Sequence, residues 1–129
     1  FGETVFDNLS FPYEIRQKEF DEKSAIEALK SVNLPETYLH KDINSLSGGE
    51  RQRVALLRNT MFLPKVLLLD EVTVGLDARS IEIVHEFIDK IWKQGVSMLQ
   101  ITHHEGEIKQ ANKIIWVEEG MIKDVTTKR

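Results

Sequence analysis

The stretch Val66-Leu67-Leu68-Leu69-Asp70-Glu71 decides the fold. Its apolar residues do not alternate with polar ones, a pattern that predicts a β-strand covered on both faces, as in a parallel sheet between layers of helices. Two adjacent carboxylates follow the strand, and a metal ion or a reacting water explains their closeness better than chance does. Asp70 and Glu71 therefore indicate a site for phosphate chemistry or a cap for the next turn, and the residues alone leave both open.

The residues after this strand predict a second strand in the same sheet. Ser80 is a candidate N-cap for a helix that ends at Gly95, and residues 96–102 then form a strand that leads to His103. A strand–helix–strand order places the carboxyl ends of both strands at one edge of a sheet. We therefore expect His103 beside the two carboxylates, although a single histidine there also fits a structural role.

The remaining segments complete an α/β fold. Residues 113–117 and 121–125 flank a Glu-Glu-Gly turn and predict a C-terminal β-hairpin. Upstream, the chain is polar and helical, with Ser24 as a candidate N-cap. We predict a helical subdomain over residues 1–45 and an α/β core with parallel strands over residues 46–129.

A second informative stretch is Leu46-Ser47-Gly48-Gly49-Glu50. Ser47 and Glu50 have the spacing of a capping box, and two glycines in the first turn of a helix are costly without a reason. One interpretation is a tight entry turn. The other is that the glycines leave the first amides of the helix bare, so that a phosphate can approach them and the Ser47 hydroxyl.

Composition excludes several classes of function. The chain has 129 residues, a net charge of −4 and no cysteine, which excludes disulfides, thiolate nucleophiles and cysteine-ligated zinc. The mildly acidic balance disfavours nucleic acid as a partner. No apolar run approaches the roughly 20 residues of a membrane span. The spacing of His40, His85 and His104 predicts no zinc site.

Taken in order, these motifs resemble those of the ATP-binding-cassette (ABC) ATPases. Leu46 to Glu50 resembles the family's signature sequence, Val66 to Glu71 its Walker B strand with the catalytic glutamate, and His103 its switch histidine. Residues 75–77 are similar to the D-loop, although Val74 and Gly75 stand where serine and alanine are usual. Spacing leaves Asp77 as either a turn residue or a contact between subunits.

The resemblance implies a fold, a reaction and partners. The fold is a three-layer fragment of the P-loop NTPase type, and the reaction is hydrolysis of ATP with Mg²⁺ held by Asp70, Glu71 activating water and His103 on the γ-phosphate. Leu46, Ser47, Gly48, Gly49, Glu50 and Asp77 would contact nucleotide bound to a second copy of the subunit. A transmembrane permease subunit is the other partner, with the protein cytoplasmic and peripheral on the inner face of the membrane. Nucleic acid is not an expected partner.

The opening residues indicate a subgroup of the family and the part of the cassette that the chain resembles. Residues 4–9 resemble the segment that follows the family's Q-loop, and residues 1–12 and 34–37 look most like bacterial putative iron exporters. The 129 residues contain no G-x-x-x-x-G-K-[ST] motif, so we expect the C-terminal part of a cassette, inactive by itself. Two alternatives remain: a soluble ABC-type ATPase of DNA repair or translation, and a non-catalytic interaction module.

Overall fold

The computed structural model describes residues 2–127. Five helices and four strands are described, together with two short 3₁₀ segments, Glu36–His40 and Ile43–Ser45. In chain order the elements are α1 (Val5–Ile15), α2 (Glu22–Ser31), α3 (Gly48–Thr60), β1 (Val66–Asp70), α4 (Ala78–Lys93), β2 (Ser97–Ile101), α5 (Glu105–Gln110), β3 (Lys113–Glu118) and β4 (Met121–Thr127).

The strands form two separate sheets. β1 and β2 pair in parallel, with Val66 opposite Ser97 and Asp70 opposite Ile101. β3 and β4 form an antiparallel hairpin with an irregularity between Trp116 and Val117. The predicted α/β fold with parallel strands and a C-terminal hairpin is confirmed.

Only one face of β1 is covered. Leu67 and Leu69 are buried, whereas Val66 and Leu68 are 58% and 70% exposed. The expectation of a strand covered on both faces is therefore wrong for residues 2–127. An apolar run cannot show by itself how many faces are covered, because side chains alternate across a strand whatever packs against them.

Helix starts separate the correct capping predictions from the wrong ones. α3 begins after Ser47, as predicted. α2 begins after Asp21, which accepts a hydrogen bond from the Ser24 amide, and α4 begins after Asp77, which accepts from the Ser80 amide. The predicted caps Ser24 and Ser80 are thus third helical residues, and in each case an aspartate three positions earlier is the N-cap.

One hydrophobic core joins the two predicted segments. It extends from Val5 in α1 and Leu29 in α2 to Val54 in α3, Val84 in α4 and Val96 before β2. The boundary between residues 1–45 and 46–129 stays a prediction. Within residues 2–127, no helix is both long and apolar enough to span a bilayer.

Candidate functional site

The first group of site residues lies at the carboxyl ends of β1 and β2. The Glu71 amide donates to the Ile101 carbonyl at 2.8 Å, which extends the parallel pairing by one residue. His103 follows β2, and its Nε2 atom lies 3.5 Å from Glu71 Oε1. The Glu71 and His103 side chains are 42% and 90% exposed, so both are open to a ligand. The expectation that His103 lies at the same edge of the sheet as Glu71 is confirmed.

Glu71 and Asp70 occupy different backbone environments. Glu71 has a φ of 50°, in the left-handed region that non-glycine residues rarely adopt. Asp70 ends β1 in regular strand geometry, and its exposed carboxylate has no ion pair within the described residues. The chain thus turns sharply between Asp70 and Glu71, and of these two carboxylates only that of Glu71 lies beside His103.

The second group of site residues is the first turn of α3. The Ser47 hydroxyl accepts from the Glu50 amide at 3.1 Å, and Glu50 Oε1 accepts from the Ser47 amide at 2.9 Å. This reciprocal pair is the predicted capping box. Ser47 and Gly48 are exposed, Gly49 and Leu46 are buried, and Glu50 is half-buried. The exposed part of the turn is therefore the short stretch of Ser47 and Gly48.

The two glycines have different reasons to be glycine. A Cβ built on Gly49 would lie 2.7 Å from Ser80 Cβ in α4 and closer still to Ser80 Oγ. A Cβ built on Gly48 would meet only Leu76 Cδ2, at 4.0 Å. Gly49 lets the first turns of α3 and α4 lie against each other. Gly48 leaves the exposed side of the α3 turn without a side chain.

Two side chains fix this turn to the helical segment before it. The Tyr38 hydroxyl donates to Glu50 Oε2 at 2.8 Å. Arg53, which is buried, donates from Nε to the Gly49 carbonyl and from a guanidinium nitrogen to the Val32 carbonyl at 3.0 Å. These contacts tie the start of α3 to residues 32–38. Sequence reasoning missed Tyr38 and Arg53, because neither belongs to the motif.

The hydrogen bonds of the capping box predict that the stability of the fold depends on pH. The hydrogen bond from the Ser47 amide, aided by the Tyr38 hydroxyl, lowers the pKa of Glu50 below its ordinary value of 4.5. A carboxyl group whose pKa is lower in the folded than in the unfolded protein stabilises the fold at pH values above its unfolded pKa. This stabilisation is lost as the pH falls through its folded pKa. We expect Glu50→Gln to lower the thermal unfolding midpoint at about pH 7, and the difference from wild type to shrink below about pH 4.5.

The control for this prediction is Glu27→Gln, which alters an exposed glutamate of α2. Thermal unfolding followed by circular dichroism between about pH 7 and pH 3 gives the comparison. A gap between Glu50→Gln and wild type that stays constant over this range would contradict the assignment.

Asp77 has a defined structural role. Its Oδ1 accepts from the Ser80 amide at 2.7 Å, and this hydrogen bond lowers the pKa of the Asp77 carboxyl. The Asp77 side chain is exposed. Asp77 is therefore the N-cap of α4. Its contact with a second subunit stays a prediction.

The structure thus collects the predicted residues into two places. Asp70, Glu71 and His103 form an edge group, while Leu46 to Glu50 lie with Asp77 where α3 and α4 begin. Within residues 2–127, no hydrogen bond or ion pair connects the two groups. One buried acid near the edge group, Glu107, was missed by sequence reasoning, since two of its partners, Thr73 and His85, are distant in the chain.

The chain is similar to a family of known proteins. Residues 2–74 match the family model described as ABC transporter, a stretch that includes the α3 turn, Asp70 and Glu71. The chain is 44% identical over 119 residues to the probable iron export ATP-binding protein FetA of Escherichia coli K12, covering 92% of the chain and 53% of FetA. It is 34% identical to the spermidine/putrescine import ATP-binding protein PotA of Borrelia garinii, covering 95% of the chain and 36% of PotA.

A solved structure has the same fold. The dimeric ATP-binding cassette MJ0796, in a post-hydrolysis state bound to ADP and phosphate, superposes with a TM-score of 0.85 and 26% sequence identity. The match covers 98% of this chain and 57% of that one. The chain therefore spans between 36% and 57% of the length of these proteins. With the family model, the sequence relatives and the fold in agreement, the chain belongs to the ABC transporter family.

Proposed function

We propose that this chain is part of the ATP-binding subunit of an ABC transporter, in which ATP hydrolysis between two copies of the subunit drives transport. The observation that carries the proposal is the pairing of Glu71 with His103 at the carboxyl ends of parallel strands. A carboxylate and an imidazole 3.5 Å apart, both open to solvent, suit proton transfer and hydrogen bonding at a phosphoryl group.

Each residue of the edge group has a distinct task. The Glu71 carboxylate accepts the proton of the attacking water, and the His103 ring donates a hydrogen bond to the γ-phosphate. Asp70 fits Mg²⁺, because the ion takes oxygen ligands and this carboxylate is exposed and free of ion pairs within the described residues. When bound, Mg²⁺ neutralises negative charge on the phosphate oxygens.

The first turn of α3 supplies the other half of the ATP site. It contacts nucleotide that is bound to a second copy of the subunit. The first amides of a helix have no intrahelical partner, and the amide of the exposed residue Gly48 is the one that a phosphate can approach. The Ser47 hydroxyl accepts from Glu50, so its own proton is free to donate to a phosphate oxygen. A preorganised set of donors of this kind acts only when the two copies close on ATP.

The first test is the mass of the protein in solution. Light scattering is measured with and without ATP, on the protein with its complete natural sequence and with Glu71→Gln to slow hydrolysis. A change from monomer to dimer only with ATP is the expected result. A protein that binds ATP and stays monomeric would contradict a site shared between two copies.

A substitution at Ser47 sharpens this test. Ser47→Asp keeps a good N-cap for α3, because aspartate and serine cap helices about equally well, but it brings a carboxylate to the γ-phosphate. We expect it to weaken ATP-dependent dimerisation by about tenfold or more, from the repulsion of like charges near 4 Å. Ser47→Asn, which caps equally well and adds no charge, is the matched control and should dimerise more strongly than Ser47→Asp.

The transport partner is a transmembrane permease subunit that contacts the helical segment over residues 4–44. Similarity to FetA favours export of a metal ion, since iron is named in that relative. Co-purification of the protein with a hydrophobic membrane protein is the expected outcome. Retention on nucleic acid at moderate salt would instead favour a soluble ATPase of DNA repair or translation.

A further inference from the structure

Three side chains outside the proposed ATP site lie together where α4, β2 and α5 meet. His85 projects from α4, His104 is the residue before α5, and Glu107 lies within α5. One ligating atom from each of these residues lies within 4.8 Å of the others. Their spacing in the sequence predicts no metal site, and only the tertiary structure brings them together.

Glu107 is held rigidly at the base of this cluster. Its side chain is 4% exposed, and Oε1 accepts from Thr102 Oγ1 at 2.6 Å and from Gln100 Nε2 at 2.9 Å. Oε2 accepts from Thr73 Oγ1 at 2.8 Å and lies 2.6 Å from His85 Nε2. Hydrogen bonds of this kind orient a metal-ligating carboxylate and keep it in place.

His104 lies over the cluster with its ring facing His85. The two rings meet edge to face with centroids 5.2 Å apart. The His104 ring is exposed and makes no hydrogen bond within residues 2–127. A Cβ on Gly106 would lie 3.1 Å from His104 Cε1 and 3.2 Å from Nδ1, so the missing side chain at residue 106 makes room for the ring.

We propose that His85, His104 and Glu107 bind a divalent transition-metal ion of the Zn²⁺, Co²⁺ or Fe²⁺ class. Two imidazoles and a carboxylate, with further coordination positions open to water, are a donor set typical of these ions. Ca²⁺ and Mg²⁺ are excluded, because they take oxygen ligands almost exclusively.

Loading the site requires only a small rearrangement. Metal–ligand bonds of about 2.0 to 2.2 Å in tetrahedral geometry need nitrogen and oxygen atoms about 3.3 Å apart. His85 Nε2 and Glu107 Oε2 are 2.6 Å apart, so they share a proton in the metal-free protein. The metal ion takes the place of that proton, which is released to water. The half-buried His85 ring moves outward by less than about 1 Å, and the exposed His104 ring, whose nitrogen lies within 4.8 Å of the other ligands, moves inward by up to about 1.5 Å.

The test measures metal binding by the tag-free protein with its complete natural sequence. Co²⁺ binding is followed by visible absorption, and Zn²⁺ binding by competition with a chromophoric chelator, with Mg²⁺ as the ion that should not compete. We expect one Co²⁺ or Zn²⁺ per chain at this site. His104→Ala should weaken binding by about tenfold or more, since loss of even an outer partner of a metal ligand costs 10- to 100-fold.

Two further variants separate this site from general histidine binding. His40→Ala removes another exposed histidine, which stacks on Phe6 away from the cluster, and should leave the affinity unchanged. Gly106→Ala keeps all three ligands but pushes the His104 ring aside, and should weaken binding. Equal affinities for wild type, His104→Ala and His40→Ala would overturn the proposal, as would a wild-type protein that binds neither ion.

Discussion

Glu71→Gln is expected to lower the rate of ATP hydrolysis by at least about 10²-fold, the usual effect of losing a general base. Glutamine has the same shape as glutamate, so the turn after β1 and the contact near His103 should survive. Only the ability to accept a proton from water is removed. Affinity for ATP is therefore expected to change little, and steady-state turnover and nucleotide binding are both measured on the protein with its complete natural sequence.

The matched control for this prediction is Glu105→Gln, which alters an exposed glutamate in the first turn of α5 near the same edge of the sheet. It should hydrolyse ATP at the parent rate. Equal turnover in Glu71→Gln and the parent would remove Glu71 from the mechanism. If Glu71→Gln lost turnover and ATP binding together, the residue would be needed for the shape of the site instead of for proton transfer.

The second large effect is expected at Gly49. An alanine Cβ there would lie 2.7 Å from Ser80 Cβ, and Ser80 is buried and fixed by the Asp77 cap. Neither helix can give way cheaply, because the buried Arg53 guanidinium also ties α3 to the Val32 carbonyl. We expect Gly49→Ala to lower the free energy of unfolding by about 1 to 3 kcal/mol, the usual cost of overpacking a core.

Denaturant unfolding of Gly49→Ala beside Gly48→Ala measures this difference. A Cβ at Gly48 meets nothing closer than 4.0 Å, so that variant should stay within about 0.5 kcal/mol of wild type. If both variants lost the same stability, the cost would come from the backbone of the turn. If neither did, α3 and α4 would be free to separate at this point.

The part of the fold that follows from local patterns could be predicted from the sequence. The Ser47 capping box and the hairpin depend on residues close together in the chain, and the parallel pairing of β1 with β2 follows from the order strand, helix, strand. The wrong predictions at Ser24 and Ser80 have a common cause. Serine and aspartate are both good N-caps. When an aspartate stands three residues before a serine, the spacing of the apolar residues does not show which of the two is the N-cap.

The parts of the candidate site that depend on distant contacts could not be predicted. Motif spacing identified Gly48 and Gly49 together, but only packing shows that Gly49 accommodates Ser80 in another helix. Glu107 looks like an ordinary helical acid in the sequence, yet it accepts hydrogen bonds from residues at the ends of both β1 and β2, including Thr73 and Thr102. Such a residue gives no local signal, because its partners are brought to it by the sheet.

The left-handed backbone of Glu71 has a consequence for how this protein can change over time. A non-glycine residue in that conformation costs roughly 1 to 2 kcal/mol, so folding alone would favour glycine at position 71. A glycine would make the turn easier to form and would remove the proposed base. Under the proposed role of Glu71, selection for reactivity and selection for stability act in opposite directions at position 71.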